Sequence, residues 1–445
     1  MAATTSAKSD IARPELADQG RTRVLWADAD MPVLRQVRAR FEADQPFRGL
    51  RVSACLPVTA ETANLARALT AGGADLVLVA SDPLGTQDDV AACLVRDFGV
   101  TVGAARGEDG NGYHRHVALA LAHEPHVTMD DGADLVAALT FVALDRLDDV
   151  HPAVREWANQ TPAADRAAKI KDVIGGTEGR ATGVARLRAL ETDGVLPFPV
   201  VAVDAATRRF DTRHGTGQST LDGVIRATNM LIAGKRVVVS GYGACGRGVA
   251  ARARGLGGQV VVTEVNPVAA LEAALDGFAV LPMAEAATVG DLFITVTGNT
   301  HVIARPHFEA MKDGAVVCNG GHFDVEIDLA ALKALTATHT PGVRPAVDEY
   351  RLTGGKTLYV IGSGRPVSLA AEGHPASVTD LSLAARALAA EYCVRKAGTL
   401  PKAVVPVPRE IEEAVAAAKL AAMGVTIDAM TADQKAYRAS WDRGV

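Results

Sequence analysis

Aromatic residues make up only 4% of this 445-residue chain, although 48% of its residues are hydrophobic. Its cores must therefore be packed from Ala, Val and Leu rather than from large rings. The five cysteines (Cys55, Cys93, Cys245, Cys318 and Cys393) include no Cys-x-x-Cys pair, which argues against a disulfide framework or a zinc site and for buried free thiols. His114, His116, His123 and His126 form no closed ligand set and read as solvated side chains, so no metal is expected. Basic clusters are missing and the formal net charge is -6, which excludes nucleic acid or an anionic membrane surface as the main partner. No apolar run reaches membrane-spanning length, and Met1–Asp10 has no signal-peptide core. A cytoplasmic protein acting on a small molecule is expected.

What is present is alternation. The length implies two to three domains. Strand patterns at 49–55, 74–80 and 100–103 alternate with helical patterns at 61–69 and 88–98, as crossover-linked parallel strands require. A second series runs through 235–240, 259–263, 292–296 and 315–318, and a less regular stretch of about 150–220 between the two is where a cleft is expected. Residues 1–20 read as a flexible arm.

In the second series Val237–Ser240 leads into Gly241-Tyr-Gly243-Ala244-Cys245-Gly246, a helical run follows, and Glu264 ends the next strand pattern. Glycines for a tight turn and close backbone approach, the N–H groups of a helix start, and a carboxylate for a ribose diol together predict a dinucleotide site. The carboxylate repels a ribose 2′-phosphate, so the cofactor expected is NAD.

The segments Gly241–Gly248, Thr263–Pro267, His307–Asp313 and Asn319–Asp328 resemble the cofactor domain of S-adenosylhomocysteine hydrolases. Cys55–Thr62, Gly85–Asp88, Met129–Asp134 and Gly373–Ser377 resemble their substrate domain. The resemblance implies an α/β fold in which a Rossmann-type NAD domain, a doubly wound parallel sheet (206–365), is inserted in a second α/β substrate domain (21–205 and 366–400), with a helical tail over 401–445. It implies NAD held by the glycine loop and Glu264, with Asn266, Thr182, Thr297, Gly298, Asn299 and Asn319 around it, and a homo-oligomer, dimer or tetramer. It also implies catalytic roles for Asp131, His322 and Asp211, and substrate contacts from Thr59, Glu61, Gln87 and His374.

The same resemblance exposes losses. The family's lysine is Thr207, its following asparagine Thr212, its redox-tuning cysteine Thr216, and the histidine of its Cys-Leu-His motif Pro57. Its second catalytic glutamate is Gly179, two nicotinamide-contacting threonines are Arg180 and Ala181, and an asparagine that binds the nicotinamide amide is Ser368. The family's closing Lys and Tyr segment has no counterpart in Trp441–Val445, which leaves open whether a neighbouring subunit completes the NAD site. Arg180, with Arg208, Arg209, Arg213 and His214 nearby, suggests an anion pocket. The function expected is NAD-dependent oxidation, lasting or transient, of a hydroxyl on a non-standard, anionic substrate, with His322 and Asp131 handling protons and Arg180 binding the anion. The alternatives are the family's own thioether hydrolysis and a non-enzymatic NAD-binding regulator.

Overall fold

The structure, a computed structural model, describes residues 8–203, 208–321 and 324–441. The first sheet is assembled from β1 (Asp10–Ile11), β2 (Arg51–Leu56), β3 (Asp75–Ala80), β4 (Thr101–Ala104), β5 (Val127–Asp130), β6 (Gly175–Glu178) and β7 (Val200–Ala202) in the order β1-β4-β3-β2-β5-β6-β7. All its pairings are parallel, and its strands are apolar and buried because helices cover both faces. Strand order reverses between β2 and β5, so the loops leaving their carboxyl ends diverge and open a crevice.

The second sheet holds β8 (Arg236–Ser240), β9 (Gln259–Thr263), β10 (Ala279–Val280), β11 (Leu292–Thr295), β12 (Ala315–Asn319), β13 (Thr336–Arg344), β14 (Val347–Leu352) and β15 (Thr357–Ile361). Its order is β10-β9-β8-β11-β12-β15-β14-β13. The first six follow the 3-2-1-4-5-6 order of dinucleotide-binding sheets, with the switch between β8 and β11. β14 runs antiparallel to both neighbours, an extension that the sequence patterns did not announce.

The chain then returns to the first sheet. Helix Ala376–Arg395 is buried along most of its length, and β16 (Val404–Pro406) pairs with β7 at the sheet's edge. Asp380 within that helix accepts from Val33 N and Leu34 N and pairs with Lys419 at 3.0 Å. A buried carboxylate thereby caps the helix Pro32–Asp44.

Two expectations need correction. From residue 10 the arm is structured: β1 pairs with β4, and helix Ala17–Ala29 packs so closely at Gly20 that a Cβ there would lie 1.8 Å from Asp89 O. Between 150 and 220 the chain supplies β6, β7 and the helices Pro152–Ala158 and Ala181–Thr192. Short Gly- and Thr-containing strands gave little period to read there.

Candidate functional site

A cavity of about 380 Å³ lies at the carboxyl ends of the first sheet's strands. Pro57, Thr59 and Glu61 follow β2, Gln87 follows β3, Asp131 follows β5 and Arg180 follows β6; all border it. From the second domain's approach come Asp211 and Thr212, on the π-helical segment Arg208–Thr216, and from the return come Ser368, His374, Ser382 and Arg386. Wide π turns cluster at functional sites, because they redirect side chains that a regular helix would turn away.

The expected substrate residues also build the walls. Thr59 Oγ1 accepts from Thr62 N at 3.4 Å and caps helix Ala60–Ala71, while Gln87 Oε1 accepts from Ala60 N at 3.0 Å. The N-terminal end of that 12-residue helix therefore borders the cavity. Burial raises the Glu61 carboxyl above its ordinary range. His374 Nε2 lies 3.2 Å from Thr216 Oγ1, and burial, then the charge of Arg180, lowers its imidazole to about 4, so it is neutral at physiological pH.

Asp131 is held by two guanidiniums. Arg386 Nη2 donates to its Oδ1 and Arg180 Nε lies 3.4 Å from its Oδ2; the Arg386 and Asp131 side chains are each only 7% exposed. Arg386 was missed by the sequence reading, although a lone Arg amid the Ala and Leu of 381–390 is a signal. It explains Gly179: a Cβ on Gly179 would stand 1.6 Å from Arg386 Nη2. At the place where the resemblance implies a second glutamate, a cation reaches in from another helix.

Two buried acids flank this cluster. Burial, then the charge of Asp131, pushes Glu178 up to about 7. Its carboxylate accepts from Gly132 N and Arg180 N and fixes both loops. Burial pushes Asp211 up to about 7 as well, against a lowering hydrogen bond from Ser382 and the charge of Arg386.

The cofactor residues gather at the second sheet's switch point. Gly241 takes φ +99, a conformation that favours glycine, and a Cβ on Gly246 would meet Gly241 O at 1.9 Å, so the helix Ala244–Gly255 starts hard against β8. Gly243 has nothing within 4 Å of its would-be Cβ, which leaves room beside the N–H groups of Ala244, Cys245 and Gly246 for a pyrophosphate. Glu264 accepts from Tyr242 N, Val265 N and Asn266 N; burial raises its carboxyl, but these bonds outweigh that and lower it. Asn266 caps the following helix with its side chain. Thr297 and Gly298 donate to buried Glu326, Asn299 N donates to Thr297 Oγ1, and Asn319 spans Thr295 and Gly364. Glu326, which holds this cradle together, was also missed.

Other expected residues fall elsewhere. Thr182 is exposed in the first turn of its helix. His322 and Thr207 lie outside the described residues, as do the side chains of Arg208 and Arg209. Arg213 and His214 are exposed, so of that basic group Arg180 alone is placed on the cavity. His116, expected to be solvated, is buried with Nδ1 2.7 Å from Glu108 and Nε2 3.2 Å from Asp10. Burial raises the Cys245 thiol to about 11, which removes its nucleophilic character. Among the described residues no group of metal-ligating side chains is found, and no helix is long and apolar enough to cross a membrane.

Comparison with known proteins accords with this geometry. Residues 212–373 match the family described as S-adenosyl-L-homocysteine hydrolase, NAD binding domain. The chain is 55% identical to the adenosylhomocysteinase of Gloeobacter violaceus over 433 residues, covering 97% of this chain and 96% of that protein. It is 52% identical to that of Gloeothece citriformis over 440 residues (98% and 97% covered) and 48% identical to that of Saccharolobus solfataricus over 433 (96% and 98%). The cofactor of this chain is NAD, and the matched residues include the β8 switch point.

Proposed function

The chain belongs to the adenosylhomocysteinase family, and from that premise we propose that it is an NAD-dependent enzyme that oxidises, or transiently oxidises, a hydroxyl of a nucleoside-type substrate other than adenosylhomocysteine. The observation that carries this reading is the Arg386 guanidinium in the space that a side chain at Gly179 would fill, where the family resemblance implies a glutamate, beside a glycine-loop fingerprint.

The glycine loop, Glu264 and the Thr297–Asn299 turn would hold the cofactor. Bound NAD supplies a hydride acceptor. Asp211 borders the cavity with a carboxyl near neutrality in its proton affinity, and it takes the hydroxyl proton. Asp131, pinned between two guanidiniums, orients Arg180 and Arg386 rather than moving a proton, while His322 keeps the proton role that the family resemblance implies. Thr59, Glu61, Gln87 and His374 receive the nucleoside end. Arg180, about a quarter exposed and bordering the cavity, meets an anionic group on the substrate. The protein works in the cytoplasm as a homo-oligomer.

The test is to extract the cofactor, measure its oxidation state, and then offer nucleosides and anionic alcohols to the NAD-loaded protein. Absorbance appearing at the nicotinamide band is expected with one of them. A protein into which no nicotinamide can be loaded refutes the reading. Identity of 55% over nearly the whole length to a named adenosylhomocysteinase favours a second reading, hydrolysis of adenosylhomocysteine or a related thioether nucleoside by replacement groups.

A further inference from the structure

A second cavity, of about 360 Å³, lies against the first. Arg23, Glu61, Gln87, Glu372, Gly373 and His374 border both, so the two spaces meet on the side that receives the nucleoside end. One wall is a single face of helix Ala17–Ala29, since Arg23, Trp26, Ala27 and Asp30 stand at spacings i, i+3, i+4 and i+7. Gln218 and Asp222, one turn apart on helix Gly217–Thr228, supply another, and Pro375 and Ala376 a third where the chain returns. Val24 and Ala27 pack the first of these helices onto the core, whereas Trp26 is 82% exposed. An isolated exposed ring is ordinary. This one borders a cavity continuous with the candidate site, where a planar ligand would cover it.

The charges around the second cavity restrict what fits. Carboxylates of Asp30, Asp222 and Glu372 line it, and the Arg23 guanidinium lies 3.4 Å from Asp89, which offsets its charge. An anionic group is repelled there, while an uncharged aromatic group gains burial and a stacking partner. Arg180 borders the first cavity and not this one. At the junction, Gln87 Oε1 is committed to Ala60 N at 3.0 Å, which leaves its amide N–H groups to donate. The Glu61 carboxyl beside it is an acceptor in either protonation state. A donor and an acceptor together match the ring nitrogen and exocyclic amine along one edge of adenine. A base held by that edge directs its amine towards Trp26.

We propose that the second cavity is a subsite for an uncharged aromatic group carried on the exocyclic amine of the substrate's base and stacked on Trp26. The inference rests on the reading of a nucleoside-type substrate and narrows its class to adenine nucleosides with an aralkyl-substituted amine. Such an amine keeps one N–H for Glu61.

The experiment is calorimetric titration of the full-length, NAD-loaded protein with three compounds: adenosine, adenosine benzylated on its exocyclic amine, and the benzyl compound with a carboxylate on its ring. The unaltered chain should bind the benzyl compound at least about tenfold more tightly than adenosine, and the carboxylated compound no more tightly than adenosine. Trp26→Ala should reduce the benzyl advantage to about twofold or less with adenosine affinity unchanged, and Trp26→Phe should keep an advantage of about fivefold. The fluorescence that the unaltered chain has in excess of Trp26→Phe should change with the benzyl compound and stay constant with adenosine. Equal affinity for adenosine and the benzyl compound, an advantage that Trp26→Ala leaves intact, or an equal advantage for the carboxylated compound overturns the proposal and leaves the nucleoside reading standing. Absence of binding by all three compounds overturns both. A Trp26-dependent advantage with no nicotinamide absorbance from any of them sinks the oxidation reading and leaves this one standing.

Discussion

Replacing Gly179 by Ala adds a single methyl group, and the structure makes it a large change. The new Cβ would stand 1.6 Å from Arg386 Nη2 and 2.1 Å from Cζ, whereas ordinary contact begins near 3.4 Å. The guanidinium must then retreat by nearly 2 Å, which takes any hydrogen bond to Asp131 beyond bonding range. Losing one partner of a buried charge pair costs about 3 kcal/mol or more, although Arg180 still shields Asp131 on its other side. Gly179→Ala should therefore lower stability by about 3 kcal/mol. In an Arg386→Ala background, where nothing occupies that volume, the same methyl should cost less than about 1 kcal/mol, a coupling of about 2 kcal/mol. Urea unfolding of the four proteins of this cycle measures it. Additive effects, or a Gly179→Ala loss below about 0.5 kcal/mol as at an ordinary surface site, would show that the guanidinium does not fill position 179.

Asp211 gives a pH signature. Its folded-state affinity for a proton is raised by burial to about 7, so its contribution is fully present below the unfolded carboxylate range near ~4 and is lost as pH rises through about 7. The stability of Asp211→Asn relative to the unaltered chain should thus increase between pH 5 and pH 8 in chemical unfolding; a constant difference contradicts the burial argument. Gly243→Val meets no protein atom at Cβ, so thermal stability without cofactor should hold while NAD-induced stabilisation falls by at least about tenfold in affinity, read from melting curves at graded NAD; unaltered affinity would refute the cradle. Glu326→Ala strands the donors of Thr297 and Gly298 and should cost about 2–4 kcal/mol, together with a measurable loss of NAD affinity by the same curves; a neutral substitution would show that Glu326 does not organise that turn.

The parts of the molecule that were readable from the chain were those with a local pattern. Apolar runs such as Val237–Val239 gave strands because parallel strands are buried on both faces, and Gly241–Gly246 gave the cofactor turn because each glycine answers a local steric need. Thr59, Glu61, Gln87, Asp131, Arg180, Asp211 and His374 were expected from separated motifs, and they share one cavity. What stayed hidden depended on contacts between distant segments. Nothing near Gly179 announces Arg386, which stands 207 positions later on a helix from the chain's return. Glu326 reads as one acid in a polar loop until Thr297 and Gly298 are placed over it, and His116 looks solvated until Asp10 folds back beside it as an edge strand.

The most direct test of the account is thiol release from adenosylhomocysteine by the full-length, NAD-loaded protein, with cofactor content measured in the same sample. With the Arg386 guanidinium at position 179 where the family resemblance implies a carboxylate, and with Thr207 and Pro57 where it implies lysine and histidine, the protein should release no thiol above background while NAD remains bound. Sustained turnover to a free thiol would contradict the account and establish the family's own reaction for this chain.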